Sequence, residues 1–457
     1  MKEKIEIFKG ADQQVYITDL TSELKTTYKI ESPEAYYLVR QLDEFEGLGE
    51  KKVQEFIGIE AQKARLDGDS KQVANRYLQK RFGELPIVID GVTSIIGIFP
   101  DGIIQLEKHR SKGRFVYSRE KRPLPDVKGC SFEVDDYKRF QELINLEDKG
   151  DFLLLTTCIV SAMGRQAEYP ILGVFGAAKS AKSTLCKFVQ SLIDPTTTEL
   201  GSQCSNRDDL AVAVSNVHLL TIDNAASLKP QIQDALCQIA TGGTYVKRKL
   251  HSDSDTVRVD LLTPVLINGI SNPLNQEDLA SRAITFELPK VKSPKSKQSL
   301  LEEFEDALPS IYAGLLELIR RVYLKLPDIQ VDESPIRLVD YYRMGIAISE
   351  VFGEDEAFFR IALKRNQRRS LVDQIENSVV ASIIKEVFDD EGKELRLTYG
   401  EFVRKFELKI QPRQLGEELR RLAPALRIVL KISFEELGHK RNGNLFRLKK
   451  VKSKKKK

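Results

Sequence analysis

The chain has 457 residues, 41% hydrophobic and 30% charged, a mixture that excludes a disordered, collagen-like or rod-forming chain and suits about two to four domains. No run of about 18 apolar residues occurs, and Met1–Ile5 leads into no apolar signal core, so a cytoplasmic protein with no membrane partner is expected. The net charge is only +4, yet residues 440–457 hold ten Lys and Arg and no acid, leaving −6 on the rest.

Residues 1–127 read as an α+β accessory domain. Helical periodicity covers Pro33–Phe45 and Lys51–Leu66, Pro86–Asp90 and Ser94–Phe99 look like strands, and Pro100-Asp101-Gly102 is a turn between strands. No catalytic constellation stands out, so a scaffold or interaction module is expected there. Arg122–Asp126, with two prolines, forms a stiff connector.

Residues 128–290 carry the chemistry. Three apolar runs, Tyr169–Phe175, Val217–Asp223 and Pro264–Asn268, alternate with helical segments. That predicts an α/β domain whose mostly parallel sheet is covered on both faces. The first run opens directly into Gly176-Ala177-Ala178-Lys179-Ser180-Ala181-Lys182-Ser183-Thr184. This is the phosphate-loop pattern with Ala181 where the second glycine is expected. The motif needs backbone N–H groups turned inward at a helix N-terminus, a lysine on the β/γ-phosphates and a hydroxyl on Mg²⁺. Lys182 and Ser183 suit the last two roles, making ATP and Mg²⁺ the expected cofactors. Ala181 is costly only if its φ is positive.

The second run ends in Asp223, a candidate Mg²⁺ ligand, followed by Asn224. An acid usually follows the metal aspartate and serves as general base. Asn224 can orient water but cannot take its proton, so Asp208 or Asp209 becomes the alternative base. The third run ends in Asn268, a polar group suited to sensing a γ-phosphate, and Arg282 follows in the position of an arginine finger. Between Asp223 and Asn268, residues Tyr245–Val259 form two alternating arms around a polar turn. Lys247, Arg248 and Lys249 on this hairpin could grip the phosphates of a threaded strand, although Asp253 and Asp255 make its tip acidic.

A charged spacer from Pro289 to Lys297 opens a helical region, 291–375. Residues 376–450 read helix, helix, helix, hairpin: Ser378–Phe388, Tyr399–Phe406 and Arg413–Leu422, then Ile432–Phe434 and Asn444–Leu448 about Asn442-Gly443. That order is the winged-helix variant of helix-turn-helix. Its third helix would turn Arg413 and Gln414 toward base edges, with Lys440 and Arg441 in the wing on phosphate or minor groove. Residues 451–457 form a basic tail. Five dispersed cysteines (Cys130, Cys158, Cys186, Cys204, Cys237) and four isolated histidines predict reduced thiols and no zinc site.

Taken together, Gly176–Ser183, Asp223-Asn224, Asp234–Gly243, Pro264–Ile270 and Asp278–Ile284 resemble the AAA+ ATPases of phages and integrating elements. The chain is similar to superfamily 3 helicases, related to the poxvirus primase-helicase C-terminal region and to MCM-like helicases of staphylococcal cassettes, over about 120–450. The resemblance implies an AAA+ P-loop αβα core flanked by the N-terminal α+β domain and the winged helix. It implies a homo-hexamer that hydrolyses ATP between subunits and translocates on single-stranded DNA at forks, with a separate primase as a further partner. Lys249 and His251 stand at the spacing at which that family carries a pore-hairpin Lys and His. The alternative expectation is a DNA-bound ATPase switch that does not unwind.

Overall fold

The computed structural model describes residues 3–22, 25–66, 70–107, 115–197, 200–201, 206–248, 256–274, 277–292, 295–331, 337–390, 394–440 and 443–451. The chain divides into two compact units: residues 1–273 with 282–359, and 274–281 with 360–457.

The first unit begins with β1 (Ile5–Gly10), β2 (Val15–Asp19) and β3 (Thr27–Lys29), then α1 (Pro33–Arg40), α2 (Glu50–Leu66) and β4 (Ser70–Lys71). These strands form one sheet in the order β3-β2-β1-β4. Ser32 caps α1, its hydroxyl accepting from the Ala35 N–H, and Pro33 occupies the first turn, where it forfeits no helical hydrogen bond. The helix expected over Pro33–Phe45 stops at Arg40 because Leu42 is extended (φ −73, ψ 140), and a short 3₁₀ turn follows at Asp43–Phe45. A second antiparallel sheet runs in sequence order through β5 (Tyr77–Gln79), β6 (Ile87–Asp90), β7 (Ser94–Phe99) and β8 (Gly102–Glu107).

After α3 (Val134–Lys138) comes α4 (Lys149–Ala162), N-capped by Asp148, with every residue from Gly150 onward buried. A helix apolar all round has to be covered on all sides. Next come β9 (Ile171–Phe175), α5 (Lys182–Ile193), α6 (Arg207–Asn216), β10 (Leu220–Ile222), α7 (Pro230–Thr241), the antiparallel pair β11 (Thr244–Arg248) and β12 (Thr256–Asp260), β13 (Val265–Gly269), the short α8 (Glu277–Ala280) and β14 (Ala283–Glu287). Four strands make the central sheet, all parallel, in the order β10-β13-β9-β14. The expected α/β class with a parallel sheet is what the chain forms. The sequence reading did not mark β14 as a strand. The unit continues through α9 (Lys297–Lys325), capped by Ser296, and α10 (Val339–Val351) to the start of α11 (Glu356–Glu376).

The second unit holds α8, most of α11, α12 (Val379–Asp390), β15 (Glu394–Thr398), α13 (Tyr399–Lys405), α14 (Pro412–Ala425), β16 (Ile432–Lys440) and β17 (Gly443–Lys450). The three strands pair as β15-β17-β16. Three helices and a terminal hairpin match the expected order, with β15 added between the first two helices. Leu415, Leu419 and Leu422 form the buried stripe of α14, meeting Phe402, Phe446 and Leu448 in one core. Among the described residues, no helix is long and apolar enough to cross a membrane.

Candidate nucleotide site

In a parallel sheet the carboxyl ends of all strands lie along one edge, and ligands of open α/β sheets bind outside that edge where the strand order reverses. The edge here comprises Phe175, Ile222, Gly269 and Glu287. β13 lies between β9 and β10, so Asn268 sits between the strand that feeds the loop Gly176–Ala181 and the strand that ends at Asp223. Three segments separated by tens of residues in sequence thus converge.

The loop holds two left-handed residues. Ala181 is the residue before α5 and is left-handed, at φ 61 and ψ 19, and Lys179 is also at positive φ. The alanine therefore occupies the conformation for which glycine is the usual choice. Left-handed backbone costs an L-residue about 1–2 kcal/mol, partly offset by the smaller unfolded-state entropy of alanine. Ala181→Gly is expected to stabilise this unit by about 0.5–1 kcal/mol, read as a higher denaturation midpoint. A lower midpoint would show that Ala181 is not strained.

Gly176 fits a tighter constraint, because a Cβ there would meet the Leu288 carbonyl oxygen at 2.6 Å and the Ser180 hydroxyl at 2.9 Å. Ala177, Ala178 and Lys179 are exposed, and Lys182, Ser183 and Thr184 open the first turn of α5. Ser180 is 1% exposed, and its hydroxyl has no hydrogen-bond partner among the described residues.

A clamp that the sequence did not reveal holds the loop from outside. The Asn145 side-chain amide donates to the Ser180 carbonyl at 3.0 Å and to the Pro289 carbonyl at 2.7 Å. The Val291 N–H donates to the Lys179 carbonyl at 3.1 Å, and the Leu288 N–H to the Phe175 carbonyl at 2.8 Å. Residues 288–291, of which 289–291 read from sequence as the start of a spacer, are a strap along the loop. Asn145 lies in no motif and gave no signal beyond its position just before α4.

Asp223 is partly buried, and its N–H donates to the Gly201 carbonyl at 2.8 Å. Asn224 is exposed and left-handed, at φ 54. Asn268 is 2% exposed and fixes this turn twice: its Oδ1 accepts from the Asn224 N–H at 3.0 Å, and its carbonyl accepts from the Ala225 N–H at 2.8 Å. Beneath them, burial pushes the Cys186 thiol up to about 12, with the Asn268 side chain as its hydrogen-bonding neighbour. The thiol is therefore protonated and inert at neutral pH. Asp208 accepts from the Tyr245 hydroxyl at the base of the β11–β12 pair.

Arg282 sits elsewhere. Its carbonyl accepts from the Ile171 N–H at the amino end of β9, so it borders the opposite edge of the sheet from the loop Gly176–Ala181. Five residues of strand make that separation about 15 Å. Arg282 is 8% exposed, in the field of Glu168, whose carboxyl is raised by burial and by Asp340 and pulled back by Arg282 and Arg337.

The proposed DNA-contacting residues are only partly described. Lys249, His251 and Arg441 lie outside the described residues. Lys247 and Arg248 fall in β11 and Lys440 ends β16, where the backbone alone is described. On α14, Gln414 is used as a cap, its Oε1 accepting from the Gln411 N–H at 2.8 Å. Arg413 pairs with Glu417 at 3.2 Å, Arg420 with Glu436 at 3.2 Å and Arg421 with Glu418 at 3.7 Å. Cys130, Cys158, Cys186 and Cys237 are free thiols, and Cys204 lies outside the described residues. Among the described residues, no cluster of three or more His, Cys, Asp or Glu could hold a metal on side chains alone.

Residues 138–355, just under half of the chain, match the family model of the actinomycete integrative conjugative element replication protein. That segment contains Asn145, Gly176–Thr184, Asp223, Asn268 and Arg282. Among solved structures, the chain is similar to an A form apo structure of the NrS-1 C-terminal region. That match has 13% identity and a TM-score of 0.41, over 99% of this chain and 97% of the other. Two further apo structures of that region each give 11% identity and a TM-score of 0.39 over the same shares. A search of curated proteins finds no match.

Proposed function

We propose that this chain is an ATP-driven motor acting on DNA in the replication of a mobile genetic element. In this reading the parallel-sheet region is an AAA+ core, six copies form a ring, and the C-terminal helices and hairpin are a winged-helix domain. The observation that carries it is the strand order, with β13 inserted between β9 and β10. Asn268 is thereby held between the phosphate loop and Asp223 at one sheet edge. A small-molecule kinase has no evident need for that polar strand end together with a three-helix, three-strand C-terminal unit.

The residues present fit MgATP. Gly176 leaves a gap that a methyl group would close, Ala181 adopts the left-handed turn, and the Ser180 hydroxyl is buried without a partner. Backbone N–H groups of Ala177–Thr184 would receive the polyphosphate oxygens, and Lys182 would neutralise their charge. Ser183 and Asp223 would hold Mg²⁺, whose contribution is to offset charge on the leaving phosphates. The match over residues 138–355 supports a role in replication of an integrating element. An arginine that serves a neighbour's nucleotide must lie away from its own phosphate loop, as Arg282 does, and ring assembly has to uncover it.

Asn224 favours a second reading, a DNA-bound ATPase switch. It offers an amide where a base is usual, and Asp208 is already engaged by Tyr245. Strand displacement on a forked duplex, measured beside MgATP turnover, separates the two. Unwinding coupled to turnover is expected. Turnover without displacement would leave the switch, and absence of MgATP binding would remove both.

A further inference from the structure

The arginines of α14, the helix expected to read DNA, are each matched by an acid. Arg413, Arg420 and Arg421 have Glu417, Glu436 and Glu418, and in the adjoining sheet Arg447 has Glu435 and Arg396 has Glu394. An arginine already paired gains less from a phosphate, because binding must first break the internal pair. On α11, Lys364 and Arg368 have no such match among the described residues. Residues 357–372 hold five cations, Arg360, Lys364, Arg365, Arg368 and Arg369, and no acid.

Their placement matters more than their number. Arg360, Lys364 and Arg368 are spaced four residues apart, so they lie within an arc of about 80° and rise about 6 Å per step along the helix. All three are exposed. Gln367 on the same face is exposed too, and Ile361 at its edge is 64% exposed. Among the described residues, neither Lys364 nor Arg368 has a hydrogen-bonding or ionic partner. The helix is long, and Ala362 and Leu363 are buried on its other side. A row of cations on a regular helix, beside a polar amide and an apolar side chain, suits a sugar-phosphate backbone.

We propose that the face of α11 that carries Lys364 and Arg368 is a nucleic-acid phosphate-binding surface. It contributes more affinity for DNA than the α14 arginines do. The surface goes beyond the motor reading and does not depend on nucleotide.

The test is fluorescence anisotropy of the full chain with labelled single-stranded and duplex DNA, without ATP, across a salt series. Lys364→Glu with Arg368→Glu is expected to weaken binding about tenfold or more. It should also lower the single-strand salt slope by about 1.4, the share of two phosphates. The neutral pair Lys364→Gln with Arg368→Gln should give a smaller loss in the same direction, and both sites are exposed, so folding is retained. Lys51→Glu with Lys52→Glu, on exposed positions of α2, matches the change in net charge and should leave affinity within about threefold. Arg413→Ala should do the same. Unchanged binding in the α11 variants, an equal loss in the α2 variant, or a larger loss in Arg413→Ala would each overturn the assignment. A failure of MgATP binding would overturn the motor reading and leave this one standing.

Discussion

Lys182→Ala is expected to abolish MgATP turnover, with a loss of about 100-fold or more, and with it any strand displacement. The lysine is the first residue of α5, where the helix N-terminus already concentrates partial positive charge. Adding a full charge there makes the spot the most favourable for a phosphate along this sheet edge. Alanine is a good helix former, so α5 should persist without the side chain. The control is Lys179→Gly in the same loop. Lys179 is exposed at φ 67, a conformation glycine adopts freely, and its substitution should change turnover only a few-fold. Calorimetric titration of MgATP, followed by steady-state turnover, checks both variants. Retained binding in Lys182→Ala would mean that Gly176–Ser183 does not hold the nucleotide.

What could be read from the sequence followed the range of the interactions that set it. The strand, loop and helix around Gly176–Thr184 were legible because each rule is local: an apolar run, a small-residue loop, then a helical period. The left-handed Ala181 was foreseeable as a question, and the backbone answers it. Asn268 was legible as a polar end to an apolar strand, but its grip on Asn224 was not, since that depends on β13 lying beside β10. β14 escaped notice because Ala283–Glu287 is short and only partly apolar, and becomes a strand by pairing with β9. β15 did likewise, since its exposed faces resemble a loop until β17 is beside it. Asn145 lay beyond sequence reading altogether: its two acceptors are 35 and 144 residues away. Of the α14 ion pairs, Arg413–Glu417 and Arg421–Glu418 are within one turn of the same helix, whereas Arg420–Glu436 depends on a strand the helix meets only in the fold.

The second large effect concerns Arg76, which lies outside the candidate nucleotide site. Arg76→Ala is expected to destabilise the first unit by about 3–5 kcal/mol. The guanidinium is fully buried, and its Nε donates to Asp194 Oδ1 at 2.5 Å. Its remaining N–H groups donate to the carbonyls of Asp90, Arg122 and Pro195. Asp194 is the C-cap of α5, and its second oxygen accepts from the N–H groups of His218 and Leu219, at the approach to β10. Lys121 adds a second buried pair with Asp90, at 3.0 Å. One arginine therefore joins the β5–β8 sheet to the far end of α5.

Removing it leaves the Asp194 carboxylate buried without its main counter-charge, which costs more than the pair contributes when intact. Burial pushes the Asp194 carboxyl up, but Arg76 with the nearby His218 outweighs it and holds it below the ordinary range. In the variant that balance reverses and Asp194 takes up a proton more readily. His218 gives the pH signature. Burial holds its imidazole below the ordinary 6.5, its Nε2 lies 2.6 Å from the Ala162 carbonyl, and the ring rests against Tyr77. Below pH 6.5 the unfolded chain binds a proton that the folded chain refuses, so this stability is complete above 6.5 and declines as the pH falls. The slope is at most about 1.4 kcal/mol per pH unit for one proton. Chemical denaturation between pH 5 and 8 should show that decline in the native chain and its loss in His218→Gln. Equal midpoints for the native chain and Arg76→Ala would show that the buried pair is not what ties α5 to the sheets before it.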